Sequence, residues 1–333
     1  MFTSANMDIR NFIRGLYYIF LKPEKGFIKQ QKDIQSQYYT ESLLRLNKQS
    51  KASVVFMIDG RTIHGGLADR LKGICSAYAY CKEKGLSFKL NANYPFDLKD
   101  YLIPNKYDWS ISPENICYST VCAKPVLLND YQLNVKLHRF YLNRCLKDYK
   151  QIHLYSNSPF LSEKIAESFQ ELFKPSERVL QDLDHLRQSI GLGTKYISIT
   201  TRFQQLLGDF KEVGYKTLSV DEQKKLVEKV IDKVKSLHEG LYAGTQILCT
   251  SDSITFLQEV DKLPYVHIIP GKVVHMDHTT DASFEEYEKS FLDLFMLMDA
   301  QKLLLLQTGD MYSSGFPRFA AQISNKPFLS VKF

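Results

Sequence analysis

The stretch from Val54 to Cys81 constrains the fold more than any other part of the chain. Val54-Val55-Phe56-Met57-Ile58 is a short apolar run bounded by turn residues, which predicts a buried strand. A turn carrying Gly60, Gly65 and Gly66 follows. Leu67, Leu71, Ile74, Tyr78 and Cys81 then recur at spacings of four, three, four and three, so all five share one helix face. Strand, glycine turn and helix is the arrangement in which backbone N–H groups and the positive end of a helix dipole meet an anion. It points to a phosphorylated ligand. The glycines match neither G-x-x-x-x-G-K-[ST] nor G-x-G-x-x-G, so an ordinary strand-to-helix turn stands beside the anion cradle as a reading. Arg70 sits in the first helical turn, where a cation opposes the dipole unless an anion is close, and so favours the cradle.

A chain of 333 residues exceeds what one core comfortably serves, which predicts two domains. The net charge of +6, from 43 basic and 37 acidic residues, suits a phosphate ligand or an anionic membrane surface and falls short of a nucleic-acid coat. The six cysteines are scattered and form no C-x-x-C pair, which argues against a zinc knuckle or thioredoxin motif and fits free thiols in a reducing cytoplasm. The N-terminus lacks the apolar core of a cleavable leader. Phe12 to Leu21 is apolar and aromatic but interrupted by Arg14 and too short to span a bilayer. With Arg10, Lys22, Lys25 and Lys29 around it, residues 8–30 read as an interfacial amphipathic helix or as a helix packed on the protein itself.

Strands and helices then alternate. Strands are expected at Leu86–Leu90, Ile116–Val126 and Gln151–Asn157, with helices at Val135–Tyr149 and Pro159–Phe173. A break is expected from Lys174 to Gly193. It contains Asp182-Leu183-Asp184, a D-x-D that reads better as a solvated helix face than as a metal site, since hard cations need several converging oxygens. Beyond it, strands are expected at Tyr196–Thr201, Gln246–Thr250 and Lys302–Gln307, and helices at Asp221–Leu237, Ser283–Ala300 and Arg318–Ile323. Alternation of this kind implies mainly parallel sheets, whose ligands sit at the strand carboxyl ends. Arg202, Asp252 and the Ser313-Ser314-Gly315 turn each close a strand. His267, His275, His278 and Asp277 lack metal-ligand spacing and are read as a substrate-lining loop.

The order of these motifs resembles the GT-B-like fucosyltransferases that use GDP-fucose: the α-1,6-fucosyltransferases, including the nodulation enzymes of rhizobia, and the protein O-fucosyltransferases. The family's glycine turn after the first strand is matched by His64-Gly65-Gly66-Leu67, and its H-x-R by Thr200-Thr201-Arg202. Its T-D turn is matched by Thr250-Ser251-Asp252. Its D-x-x-x-L helix, apolar strand and S-S turn are matched by Asp293 to Leu297, Leu303 to Leu306 and Ser313-Ser314. The chain departs from the pattern at Thr200, where the family has histidine, at Phe203, where it has a second arginine, and at Gln205, where it has an acid; Asp209 lies close to that last position.

The resemblance implies an α/β, GT-B-like fold of two Rossmann-like domains facing across a cleft. The N-terminal helical segment would occupy 1–52, the acceptor domain 53–180 and the nucleotide-sugar domain 181–333. It implies a glycosyltransferase moving a sugar, fucose from GDP-fucose first, onto a glycan or lipid-linked saccharide, with inversion and without a metal or other cofactor. Arg202 would bind the diphosphate and stabilise its charge as it leaves. Gly65, Gly66, Leu67, Arg70, Asp252, Ser313, Ser314 and Gly315 would hold the donor, Asp293 would read guanine, and His64, ahead of Asp59 and Asp69, would be the base. Such an enzyme would work in the cytoplasm at the inner face of the membrane. The alternatives are a GT-B transferase with another nucleotide sugar and a non-catalytic two-domain sugar- or nucleotide-binding protein.

Overall fold

The computed structural model describes residues 4–21, 26–41, 52–128, 135–157, 159, 164–189, 191–193, 195–209, 216–274, 276–277 and 279–333. The chain divides into two compact units, Met1–Lys174 and Pro175–Phe333.

The first unit begins with helices α1 (Ser4–Phe20) and α2 (Gly26–Tyr38) and continues through β1 (Ser53–Ile58), α3 (Leu67–Lys84), β2 (Ser87–Ala92) and the short β3 (Leu102–Pro104). It ends with β4 (Ala123–Leu127), α4 (Val135–Asp148), β5 (Gln151–Tyr155) and α5 (Ile165–Leu172); β6 (Phe173–Pro175) lies at the junction. Four strands form a parallel sheet in the order β2-β1-β5-β4, with Val54 opposite both Phe88 and Ile152. β1 is buried along almost its whole length, as its unbroken apolar run requires of a central parallel strand. Gly85, at φ +63°, ends α3 by turning the chain into the left-handed region, and its amide donates to the last-turn carbonyls. Side chains tie α2 and its end into the unit: Gln31 donates to the Tyr141 hydroxyl of α4 (2.9 Å), and the hydroxyl of Tyr39, just after α2, pairs with His153 Nδ1 of β5 (2.5 Å).

The second unit comprises α6 (Glu177–Ser189), β7 (Tyr196–Thr201), α7 (Val220–Glu239), β8 (Gln246–Ser251), α8 (Ile254–Val260) and β9 (Val266–Ile268), followed by α9 (Phe284–Asp299), β10 (Leu303–Gln307), α10 (Phe316–Ser324) and β11 (Phe328–Lys332). Its sheet is also parallel, in the order β11-β10-β7-β8-β9. α7 and α9 each open with a reciprocal capping box, Ser219 with Glu222 and Ser283 with Glu286. Val230, Val234 and Leu237 of α7 pack with Ile199, Ile247, Phe256 and Leu306 in one core. Full burial of each such side chain stabilises by about 1.5–3 kcal/mol.

Several expectations change. The strand expected over Ile116–Val126 starts only at Ala123, because a turn closed by the Cys122 and Ala123 amides on the Ser119 carbonyl (3.1 and 2.8 Å) precedes it. The helix expected from Pro159 begins at Ile165, and positions 160–163 lie outside the described residues. The break expected over Lys174–Gly193 holds α6, so a boundary at 180 would cut a continuous helix that belongs whole to the second unit. Within α6 the two acids of the D-x-D differ: Asp184 is exposed as expected and pairs with Arg187 (3.0 Å), whereas Asp182 is half-buried beside Glu288.

Helix α3 approaches the end of β5 so closely that a Cβ on Gly73 would lie 2.2 Å from the Ser156 carbonyl oxygen. Backbone on both sides leaves no flexible group to give way. Gly73→Ala is therefore expected to lower stability by about 1–3 kcal/mol through overpacking, read as a reduced urea midpoint at unchanged slope.

Candidate functional site

In the first unit, polar side chains gather where β1 leaves the sheet. Asp59 accepts from the Tyr155 hydroxyl (2.9 Å) and from the Arg61 amide (3.2 Å), and pairs with Arg61 Nε (3.4 Å). The Arg61 guanidinium lies between two aromatic faces, 4.2 Å from the Tyr38 ring centroid and 4.6 Å from that of Tyr118. Burial pushes the Asp59 carboxyl above its ordinary value, with Arg61 opposing it. His64 is buried, and its Nε2 accepts from the Gly60 amide (3.2 Å), so that ring nitrogen is engaged by the loop itself.

The glycine turn is fixed by Arg70 in a way the sequence does not reveal. Arg70 Nε donates to the Gly65 carbonyl (2.8 Å) and Nη1 donates to the Tyr94 carbonyl (2.6 Å), and the residue is buried. The anion contact expected of Arg70 is thus replaced by a brace across the loop. Gly65 takes φ +81°, and a Cβ there would meet Asp69 at 3.0 Å. Gly66 caps α3 in an extended conformation with no side-chain hydrogen bond, so Leu67 opens the helix without a side-chain cap over its first-turn amides. A cavity of about 650 Å³, lined in part by Ser53, Ser87, Lys89 and Gln151, lies at the opposite, amino-terminal edge of this sheet.

In the second unit, β10, β7 and β8 are neighbours, so the polar ends expected from the sequence adjoin one another. Thr200 and Thr201 are buried between strands: Thr200 Oγ1 pairs with Thr250 Oγ1 (2.8 Å), and Thr201 Oγ1 donates to Ser251 Oγ (2.9 Å). Arg202 follows, with its side chain 21% exposed and its Nε 3.2 Å from Asp252 Oδ2. The two Asp252 oxygens accept the Phe203 and Gln204 amides at 2.9 and 2.7 Å. Those bonds hold Gln204 at φ +54°, an uncommon conformation for a residue with a side chain. Burial raises the Asp252 carboxyl while Arg202 and the amides oppose it.

Asp252 was expected to hold a ligand; its carboxylate is instead buried and occupied, and it positions Arg202. Asp209 does not stand in for the missing acid either, because it accepts from Ser253 Oγ and the Thr255 amide (both 2.8 Å) at the start of α8. The turn after β10 reaches Arg202 directly, since the Tyr312 amide donates to the Arg202 carbonyl (3.0 Å). Ser313 is exposed beside it, Ser314 Oγ accepts from the Phe316 amide (3.3 Å), and Gly315 caps α10 without a side-chain bond.

No protein-family profile and no curated protein sequence matches the chain. Solved structures do match it. The NodZ α-1,6-fucosyltransferase soaked with GDP-fucose, an enzyme also solved from Bradyrhizobium, superposes with a TM-score of 0.54 at 13% identity, covering 82% of this chain and 93% of NodZ. A variant of Arabidopsis thaliana FUT1 in complex with GDP gives 0.55 at 12% identity, covering 98% of this chain and 79% of FUT1. The chain has the fold of the NodZ fucosyltransferase. At that identity the likeness to NodZ assigns no residue a role.

Asp293, expected to read guanine, is the clearest departure. It is buried on α9 with its carboxylate 2.5 Å from Lys289 Nζ, one helical turn back, and burial raises its carboxyl against the pull of that lysine. An ion pair enclosed by the core has no face for a base. The i,i+4 spacing could have revealed the partner. Arg61 and Tyr155, which flank Asp59, were not singled out at all. His267 pairs with Gln246 (2.6 Å), whereas His275 and His278 lie outside the described residues. Among the described residues no three His, Cys, Asp or Glu side chains converge as a metal site.

Also on α9, Glu288 is buried beside Asp182, and burial with that like charge lifts its carboxyl to about 7; Arg178 opposes and Glu285 adds to the shift. A carboxyl raised in the folded state binds more protons than in the unfolded chain, so stability falls as pH rises from its ordinary value of 4.5 towards 7. The melting temperature is expected to drop between about pH 5 and about pH 7.5, and Glu288→Gln is expected to flatten that slope. An unchanged slope in the variant would remove Glu288 as its source.

Proposed function

We propose that the chain is a glycosyltransferase that moves a sugar, fucose from GDP-fucose first, to a hydroxyl of a glycan or lipid-linked saccharide, with inversion and without a metal. The observation that carries this reading is the partly exposed Arg202 guanidinium at the carboxyl end of β7, aimed by buried Asp252, in a fold shared with enzymes solved with GDP or GDP-fucose.

In this reading the second unit takes the donor. Arg202 offers the diphosphate a planar pair of donors and gains strength as the bond between the anomeric carbon and the diphosphate oxygen breaks, because the electron pair leaves with the nucleotide. Ser313, Ser314 and Gly315, at the start of α10, add donors beside it. In the first unit, the main-chain amides of the Gly65-Gly66-Leu67 turn, at a helix start with no side-chain cap, suit an anion. The acceptor oxygen forms the new bond to the anomeric carbon from the opposite face, and its proton passes to a base. Of the three candidates near the glycine turn, Asp59 suits that step better than His64 or Asp69. Its carboxyl is raised and so holds a proton more readily, and it keeps lone pairs beyond those met by Tyr155 and Arg61, whereas His64 Nε2 has a single lone pair directed at the Gly60 amide and Asp69 pairs with Lys72 (2.6 Å).

Two observations favour a second reading with another nucleotide sugar. Thr200, at the family's histidine position, is engaged by Thr250, and Asp293 is engaged by Lys289. Isothermal titration with GDP, UDP and ADP separates the two, and GDP-selective binding is expected. Arg202→Ala is expected to lower turnover of GDP-fucose by about two to three orders of magnitude while leaving the melting temperature close to wild type. Turnover at the wild-type rate would overturn the role given to Arg202.

A further inference from the structure

The N-terminal helix α1 wears its apolar stripe on the outside. Ile9 is 58% exposed, Ile13 60% and Phe20 54%; Tyr17 is exposed and Leu16 half-buried on the same side. At about 100° per residue these five positions span roughly one-third of the helix circumference. Among the described side-chain positions of α1 the buried one is Gly15, which lies about 140° from the centre of that stripe, so the stripe faces away from the packed side of the helix. Arg10 and Arg14 are exposed along one border of the stripe. Leu21, 70% exposed, follows the last turn.

A large outward apolar face on a soluble unit calls for an occupant. Cations bordering the stripe select an anionic one. A second copy of a chain of net charge +6 would set like charge against like, whereas an anionic bilayer attracts the bordering arginines and takes up the apolar side chains together. No helix among the described residues is long and apolar enough to cross a membrane, so a helix lying in the interface is the geometry available to α1. We propose that α1 docks the protein on the surface of a membrane containing anionic lipid, with Ile9, Ile13, Leu16, Tyr17 and Phe20 in the acyl boundary and Arg10 and Arg14 among the headgroups.

This inference does not rest on the transferase reading, and its test needs no turnover. The full-length protein is floated with phosphatidylcholine vesicles that contain or lack phosphatidylglycerol, and GDP binding is titrated on the same samples. Wild type is expected to float with the anionic vesicles, less so as salt is added, and weakly with the neutral ones. Arg10→Gln with Arg14→Gln is expected to reduce anionic-vesicle partitioning about thirtyfold, from ~1 kcal/mol per basic residue and ~1.4 kcal/mol per decade. Ile13→Glu with Phe20→Glu, at exposed positions, is expected to abolish flotation while the melting temperature and any GDP binding stay as in wild type. Wild type that stays in the aqueous fraction with both vesicles would overturn the proposal, as would flotation that survives the Ile13→Glu, Phe20→Glu change. A dimer in sedimentation equilibrium that this change dissociates, without vesicle binding, would assign the stripe to self-association instead.

Discussion

Asp252 is the buried carboxylate on which the second unit's strand ends depend. It leaves β8 with three donors around it: two consecutive main-chain amides from the segment after β7, and the Arg202 guanidinium. A carboxylate out of water is tolerable only when its lone pairs are met. Meeting them here draws the ends of two neighbouring strands together and aims a cation outward. The Tyr312 amide on the Arg202 carbonyl ties in the turn after β10, so three loops far apart in sequence are held by one short set of hydrogen bonds. The parallel sheet makes this possible, because it places those three carboxyl ends side by side.

The first unit reaches a comparable result by other means. Its loop is braced from within by Arg70, whose donors close on two main-chain carbonyls and leave the α3 amides without a side-chain cap. Asp59 and Arg61 compensate one another between aromatic rings, with Tyr155 contributing a third bond. Each unit thus uses one arginine close to a carboxylate at the carboxyl edge of its sheet. Of the two, Arg202 is the one with a proposed substrate contact. Arg61, stacked between two rings, resembles a structural cation more closely.

Elements with strong local periodicity were legible in the sequence. β1, β7, β8, α7 and α9 lie within a residue or two of where the sequence pattern puts them, and α3 opens at Leu67 where its spacing begins. β11 was missed, since a five-residue strand of mixed burial carries little pattern. Polar residues at strand ends were recognised as important, but their partners were not. A lone Arg70 or Asp252 at a loop invites a ligand in one dimension. In three dimensions, nearby backbone carbonyls and amides claim them first, because buried main-chain groups must be paired. Lys289 and Asp293 show the same limit: the spacing was visible, but the enclosure of the pair was not.

Gln204 holds its main chain in the left-handed region although it is not glycine, a conformation that costs a residue with a Cβ about 1–2 kcal/mol. Glycine would ease that torsion but would also free the hinge between Arg202 and the rest of its loop to wander. The Asp252 bonds that impose this torsion are also the ones that keep the neighbouring charged side chain trained on one spot. A lineage that relaxed it would gain robustness at the expense of marksmanship.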